Sequence, residues 1–353
     1  MRLRQNHSKL LVMAAWLAIV LNSASALAQR YTQTNIVSDI PNKAITTDPN
    51  LKNAWGIAFG PGSPIWVADN GTGLSTLYTG TGTIVPLVVT IPAPMSGDTS
   101  APTGLVFTGG VDFVVSQNGK SGPSIFIFDT EDGTIVGWSP AVDMTNGVIA
   151  VPSDHGAIYK GLAIAKTAKG SFLYASDFHN GVVEIYNSKF KLQKTFTDSS
   201  LPPGYAPFGV QNINGQIFVT FAKQDALKED EIAGPGLGFV DIFDTDGNLV
   251  RRFASRGTLN APWGLAMAPP TFGKFANDIL VGNFGDGRIS AFDPTSGKFL
   301  GRLRNSKGDI LSISGLWAIT PGGAAGTTPD DLLFTAGPGN EEHGLLGKLN
   351  PKP

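Results

Sequence analysis

The chain has no cysteine among its 353 residues. Disulfide staples, thiol nucleophiles and thiolate metal ligands are therefore all excluded. A chain of this length builds a sufficient core without staples. Charge is also scarce. Asp, Glu, Lys and Arg make up 15% of the residues, and the formal net charge is −2. With no basic excess to neutralise phosphates, neither nucleic acid nor an anionic membrane surface is expected as a main partner. Histidine is limited to four residues, and no G-x-S-x-G nucleophile elbow occurs. Beyond the N-terminus no apolar run is long enough to span a bilayer.

The N-terminus has a different composition. Arg2, Arg4 and Lys9 precede an apolar run from Leu10 to Leu21, and Ala26-Leu27-Ala28 is a small-x-small cleavage site. This three-part pattern predicts a secretory signal peptide over residues 1–28 and a secreted or periplasmic product. Removing it takes away three basic residues and no acidic ones, which shifts the formal net charge from −2 to −5. Residues 29–353 are then the folded domain. The 44 glycines and 24 prolines, set beside 42% hydrophobic residues, point to many short strands joined by tight turns.

What is abundant is also periodic. A glycine followed by apolar residues, a short gap, and an apolar run ending in a small or polar residue recurs six times. The first copy is Trp55-Gly56-Ile57-Ala58-Phe59 with Ile65-Trp66-Val67-Ala68-Asp69. The recurring glycines, Gly56, Gly104, Gly161, Gly209, Gly264 and Gly315, lie 48, 57, 48, 55 and 51 residues apart. A period near 50 with several strands in each copy predicts an all-β, six-bladed β-propeller with four-stranded blades. Glycine suits the innermost strands, which crowd the central axis. The third copy divides into strands Tyr159–Ala165, Phe172–Ser176, Val182–Asn187 and Phe190–Phe196. The segments Asp129–Gly133, Asp244–Gly247 and Asp293–Gly297 read as the turn between third and fourth strands. The last copy lacks a fourth strand, and Tyr31–Val37 near the N-terminus is expected to supply it, closing the ring without a free edge. Ser139–Ile158 and Lys223–Gly238 depart from the repeat as long connections, the class of segment that carries function on such scaffolds.

Connections between second and third strands share one face with the inter-blade crossings. That face is expected to gather Asp69 and Asn70, Gln117 and Asn118, Asp177, His179 and Asn180, Lys223 and Asp225, Asn283 and Asp286, and Asn340 to His343. The residues preceding the six glycines are Trp55, Thr103, Lys160, Phe208, Trp263 and Ser314. Of these, Trp55, Lys160, Phe208 and Trp263 would line an aromatic mouth with one cation, a surface suited to a sugar ring or a peptide side chain. Oxygen and imidazole donors at Asp69, Asp177, His179, Asn283 and His343 make a candidate set for Ca²⁺ or another divalent cation. His155, ahead of the third repeat, is the remaining histidine of the domain and a near neighbour of His179 in this arrangement.

The strand ends Ile65-Trp66-Val67-Ala68-Asp69 and Leu173-Tyr174-Ala175-Ser176-Asp177 resemble the NHL-type repeat. Ala222-Lys223-Gln224-Asp225, Gly238-Phe239-Val240-Asp241-Ile242-Phe243-Asp244, Ala261-Pro262-Trp263-Gly264-Leu265-Ala266, Val281-Gly282-Asn283-Phe284-Gly285-Asp286-Gly287-Arg288-Ile289 and Thr335-Ala336-Gly337-Pro338-Gly339-Asn340-Glu341-Glu342-His343-Gly344 resemble a bacterial family of exported, uncharacterised propellers. Some members of that family end in a PEP-type sorting tail. The present chain ends at Lys348-Leu349-Asn350-Pro351-Lys352-Pro353, so the resemblance does not imply anchoring through such a tail. The resemblance implies a fold and export but no activity. Six-bladed lactonases and related calcium hydrolases often place Asn before the inner-strand glycine, and none of the six positions here is Asn.

Two functional readings follow. The first is a non-catalytic module that binds a protein, peptide or carbohydrate. The second is a metal-dependent hydrolase or lyase with its site at the central opening.

Overall fold

A computed structural model of the protein describes residues 29–352, so the expected signal peptide at 1–28 lies outside the described residues. The domain is a ring of six antiparallel blades, all-β apart from one 3-10 turn at Gly273–Phe275. Blade 1 is built from Ala54–Ala58, Ile65–Asp69, Leu74–Tyr78 and Ile84–Thr90, ordered from the axis outwards. Blade 3 uses Tyr159–Thr167, Gly170–Asp177, Val182–Asn187 and Leu192–Phe196, close to the predicted division. Blade 4 uses Tyr205–Ile213, Gln216–Gln224, Phe239–Phe243 and Leu249–Ser255, and blade 5 uses Pro262–Met267, Ile279–Asn283, Ile289–Phe292 and Phe299–Arg302. Among the described residues, no helix is long and apolar enough to cross a membrane.

Burial follows position in the blade. Second strands such as Ile65–Asp69 are buried at every residue, because neighbouring blades cover both faces of the sheet. The outer strand Leu192–Phe196 is exposed at all but its last residue. A strand covered on both faces reads as a continuous apolar run, whereas an outer strand can carry polar residues. The core is accordingly a series of seams between blades. Ile127 and Ile135 of blade 2, for instance, pack with Tyr159, Leu162 and Leu173 of blade 3.

The ring closes as the sequence predicted. Blade 6 has Leu316–Pro321 innermost, then Leu332–Ala336 and Leu345–Lys352, and the N-terminal strand Arg30–Ser38 outermost. Arg30–Ser38 pairs antiparallel with Leu345–Lys352, from Arg30 opposite Lys352 to Ser38 opposite Leu345. It also docks on blade 5: Tyr31 is fully buried, packs tilted against Phe272 with ring centroids 4.6 Å apart, and donates its hydroxyl to the Phe272 carbonyl at 3.0 Å.

Blade 2 corrects the predicted strand order. Its strands are Pro102–Phe107, Phe126–Thr130, Ile135–Trp138 and Val148–Val151, and a separate hairpin, Val114–Gln117 with Lys120–Pro123, is inserted between the first two. Two consequences follow. Asp129–Gly133 joins second to third strand, so Glu131 and Asp132 lie on the same face as the inter-blade crossings and not in an outer hairpin. Gln117 and Asn118 sit at the hairpin tip on the opposite face, where Phe113 donates its amide to Ser188 in the outer turn of blade 3. The segment Ser139–Ile158 is only partly a connection, since it contains the blade's outer strand. The long gap of 57 residues between Gly104 and Gly161 is the sequence trace of the inserted hairpin.

The inner strands meet almost backbone to backbone. A Cβ on Gly56 would lie 2.6 Å from the Thr103 carbonyl, and one on Gly264 would lie 2.6 Å from the Trp317 carbonyl. Gly104 and Gly209 are tighter still against the inner strands of the next blades. The sixth glycine differs. Gly315 precedes its strand with φ +66°, packed against the Gly337 backbone, and so serves a turn. The register Leu316 opposite Ala336 and Ile319 opposite Phe334 matches Ala54 opposite Asp69 and Ile57 opposite Val67. Trp317-Ala318 is therefore the sixth copy of Trp55-Gly56, and Trp317, not Ser314, is the sixth axial residue.

Candidate functional site at the central opening

Each blade sends one residue to the axis: Trp55, Thr103, Lys160, Phe208, Trp263 and Trp317. Polar groups on the second strands hold these positions. The Gly104 amide donates to Asp129 Oδ1 at 2.6 Å and the Gly209 amide to Thr220 Oγ1 at 2.8 Å. The Ala318 amide donates to Thr335 Oγ1 at 3.1 Å. Thr335 Oγ1 in turn donates to the Trp55 carbonyl, and Ser176 Oγ donates to the Phe208 carbonyl at 2.6 Å, so each tie reaches the neighbouring blade.

The aromatic residues do not line an open mouth. They plug it. Trp55 and Trp317 stack with centroids 3.6 Å apart, and Phe284 stacks on Trp317 at 4.1 Å. Trp263 meets both tryptophans edge-on at 6.2 and 5.8 Å. Trp55, Phe208, Trp263 and Trp317 are all buried. Edge-on and offset stacked pairs of this kind add about 0.5–1.5 kcal/mol each beyond area burial. Below the plug the channel narrows to a cavity of about 40 Å³ walled by Leu105, Leu162, Val210 and Leu265.

Above the plug lies a polar belt centred on Lys160. Its Nζ sits 5.5 Å over the Trp55 ring, pairs with Glu131, and lies 3.2 Å from Asp230. Glu131 accepts from Asn70 Nδ2 at 2.8 Å, Asn53 Nδ2 donates to Asn70 Oδ1 at 3.0 Å, and Asn53 Nδ2 also donates to Glu341 at 2.8 Å. Trp317 Nε1 donates to Asn53 Oδ1 at 3.0 Å and Trp263 Nε1 to the Lys160 carbonyl at 2.7 Å. Trp55 Nε1 is buried with no hydrogen-bond partner among the described residues. The belt joins blades 1, 2, 3, 4 and 6, and it is acidic: Glu131, Asp230, Glu231 and Glu341 face a single ammonium. Burial, reinforced by Glu341 and Asp230 and opposed by Lys160, pushes Glu231 up to about 8. Burial and the charges of Glu131 and Asp230 likewise raise Glu341, against the hydrogen bond from Asn53. Lys160 is held above its ordinary value because Glu131, Glu231 and Asp230 outweigh its desolvation.

Glu341 also faces a cavity of about 320 Å³ on this face, walled by Phe284, Asp286, Ser312, Ser314 and Asn340 together with Ala233 of the Lys223–Gly238 connection. The cavity has an aromatic wall, two carboxylates and hydroxyl and amide donors within reach of the axis.

The structure separates the five residues grouped as a cation set. Asp69 is buried in blade 1 beside Thr76, and burial raises it well above the carboxylate range. Asn283 ties the blade 5 turn, donating to the Thr258 carbonyl at 2.8 Å and to Asp286 at 3.1 Å. His343 Nδ1 pairs with Asp39 at 2.8 Å, and the His179 carbonyl accepts from Gln224. Asp177 accepts from the Asn180 amide at 3.0 Å and from Asn180 Nδ2 at 2.6 Å. Among the described residues no three of Asp69, Asp177, His179 and His343 bring their donor atoms within 4.8 Å of one another, so they do not share a centre, and both Asp69 oxygens and His179 Nδ1 are buried without a hydrogen-bond partner. Asp177 instead keeps company with His155 and Glu184, whose donor atoms all lie within 4.8 Å of one another. Sequence reasoning missed Trp317, Phe284, Asn53, Glu131 and Glu184. Trp317 was hidden by the neighbouring Gly315, and Glu131 by the inserted hairpin of blade 2.

No family model matches the chain. Among solved structures, a glucose dehydrogenase aligns over 90% of this chain and 99% of its own, with 12% identity and a TM-score of 0.54. A streptogramin B lyase aligns over 92% and 98%, with 14% identity and a TM-score of 0.53. At such identities the likeness shows the propeller fold alone. Sequence relatives are closer. Uncharacterized protein R648 of Acanthamoeba polyphaga mimivirus is 31% identical over 324 residues, covering 89% of this chain and 78% of the relative. Uncharacterized protein L690 of the same virus is 31% identical over 312 residues, covering 86% and 81%. These relatives are viral, whereas the sequence motifs pointed to a bacterial family. The chain belongs to the family of these two mimivirus proteins and has the β-propeller fold.

Proposed function

We propose that the protein is an exported, non-catalytic binding module whose central opening takes a positively charged side chain of a protein or peptide ligand. The observation that supports this reading is the charge imbalance of the belt. Glu131, Asp230 and Glu341, with Glu231 held largely protonated beside them, surround one ammonium, and Glu341 faces the 320 Å³ cavity beside an aromatic wall. Carboxylates whose ionisation is opposed by burial and by one another gain most from an incoming cation. An ammonium or guanidinium beside Phe284 would gain a cation–π contact as well. Flexible connections around a rigid ring are also the usual place for recognition on this scaffold. The aromatic residues Trp55, Phe208 and Trp263 serve in this reading as the rigid floor, not as the contact surface.

The test is calorimetry with acetylated tripeptides that differ only in a central Lys, Arg, Gln or Glu. The Lys and Arg peptides should bind more tightly than the Gln peptide, and Glu341→Gln should reduce that preference at least about fivefold. Equal binding of the Lys and Gln peptides would sink the charge argument. So would tight binding of an uncharged oligosaccharide that Glu341→Gln leaves unchanged.

A further inference from the structure

We propose that His155, Asp177 and Glu184 form a binding site for one divalent first-row transition metal ion of the zinc type, at the seam between blades 2 and 3 and away from the central opening. The donors are an imidazole nitrogen of His155 and one carboxylate oxygen from each of Asp177 and Glu184, all within 4.8 Å of one another. His155 Nε2 already lies 3.2 Å from Glu184 Oε1. A tetrahedral ion with bonds of about 2.0–2.2 Å sets its ligand atoms roughly 3.4 Å apart. Side-chain rotations of about an ångström therefore bring all three to a common centre.

Three features distinguish this group from an accidental cluster. The first is donor type. One imidazole with two carboxylates is a ligand set for zinc and its neighbours, whereas an all-oxygen set would suit calcium or magnesium. The second is orientation of each ligand by an outer partner. His155 Nδ1 is 2.7 Å from Asp154 Oδ1, which holds the tautomer that leaves Nε2 free to ligate. Glu184 Oε2 accepts hydroxyl protons from Tyr159 and Tyr186, each at 2.6 Å, leaving Oε1 for the ion. Asp177 is fixed by Asn180 and by the Ile158 amide at 3.3 Å. A carboxylate offers about four acceptor positions, so these bonds leave Asp177 room for a metal. The third is charge. Asp177 and Glu184 have side chains almost wholly removed from solvent, and a divalent ion neutralises the pair while a neutral imidazole completes the set.

Access exists from one side only. His155 keeps 35% of its side chain exposed and comes from the crossing into blade 3, while Glu184 and Asp177 are fixed on strands. An ion entering beside His155 would meet three protein donors and keep a fourth position for water, the arrangement of an open site.

The experiment is zinc titration of the untagged protein by calorimetry, with metal content measured after loading and desalting. Wild type should retain one equivalent of zinc and discriminate against calcium. His155→Ala should weaken zinc at least about 100-fold, and Asp154→Asn should weaken it about 10–100-fold by freeing the imidazole. Because His155 lies at the surface, a melting curve of His155→Ala close to wild type would separate lost ligation from lost folding. Cobalt substitution gives a second readout, since the visible spectrum of the bound ion should change in Glu184→Gln. Wild type that retains no zinc would overturn the proposal. Zinc retained with unchanged affinity by His155→Ala would overturn it as well, because the ion would then lie elsewhere.

Discussion

Closure of the ring depends on a strand far from its partner in sequence, and Tyr31 is where that closure is tested most sharply. The side chain is fully buried, its ring lies 4.6 Å from that of Phe272 and 6.4 Å from that of Phe275, and its hydroxyl donates to the Phe272 carbonyl at 3.0 Å. Truncating a buried aromatic to alanine costs about 3–5 kcal/mol. Leaving the buried Phe272 carbonyl without its donor adds about 1 kcal/mol. Tyr31→Ala should therefore lose roughly 4–6 kcal/mol, and Tyr31→Phe, which removes only the hydroxyl, roughly 1–2 kcal/mol. Unfolding entropy near 60 °C is about 2.1 cal/mol/K per residue, so a domain of this length shifts its Tm by roughly 1.5 °C per kcal/mol. The expected shifts are about 6–9 °C for alanine and about 1.5–3 °C for phenylalanine. Differential scanning calorimetry and urea unfolding should agree on that order. A double-mutant cycle of Tyr31→Ala with Phe272→Ala should return a coupling of about 0.5–1.5 kcal/mol. Deleting Arg30–Ser38 altogether would expose the edge of Leu345–Lys352, and light scattering should then detect association. If Tyr31→Ala melts within a degree or two of wild type, the N-terminal strand does not hold the ring together and the closure argument fails.

Two further predictions address the axis. Gly209→Ala would drive a Cβ into the Trp263 carbonyl, whereas the same change at Gly161 would meet the Phe208 carbonyl at 3.0 Å. Overpacking costs about 1–3 kcal/mol, so Gly209→Ala should fall at or beyond the upper end and Gly161→Ala near the lower, and a reversed order in urea midpoints would contradict the backbone-contact reading. Burial pushes Asp129 up to about 7, against hydrogen bonds from Thr103 and Gly104. The folded state then keeps a proton that the unfolded chain has released, so stability falls as pH rises from about 4 towards 7, by up to about 1.4 kcal/mol per pH unit. Asp129→Asn should flatten the urea midpoint against pH across that window, and an unchanged slope would show that Asp129 is ionised in the native state.

Much of this architecture was legible because it is periodic. The glycine spacing, the apolar second strands and the missing last strand each report a local steric or burial demand that every blade repeats. The strand end at Asp69 and the turn at Asp244–Gly247 fall where the pattern puts them because alternation and turn chemistry are short-range properties. The errors arose where a residue's neighbours in sequence resemble a repeat that its neighbours in space do not. Gln117 and Asn118 read as a connection between second and third strands, but they tip an inserted hairpin while Phe126–Thr130 pairs with the inner strand, and Glu131 thereby moves from the rim to the axis. Gly315 carries the repeat's glycine, yet Trp317 occupies the axial position because strand register, not residue type, sets which side chain points inward.

The sequence by itself determined the six-bladed ring, its N-terminal closure and part of the set of residues on the upper face, with Gln117 and Asn118 wrongly included and Glu131 left out. The tertiary structure alone decided which of them meet. Asp69, Asn283 and His343 were equal candidates for one centre, but Asp69 is buried inside blade 1, Asn283 ties its own turn to Asp286, and His343 pairs with Asp39 beyond the N-terminal strand. Glu131, Asp230 and Glu341, from three blades, converge on Lys160 because a closed ring brings the ends of non-adjacent segments to one axis. Period and composition act along the chain, whereas convergence is a property of closure. A pattern read one blade at a time therefore specifies the ring but leaves its centre open.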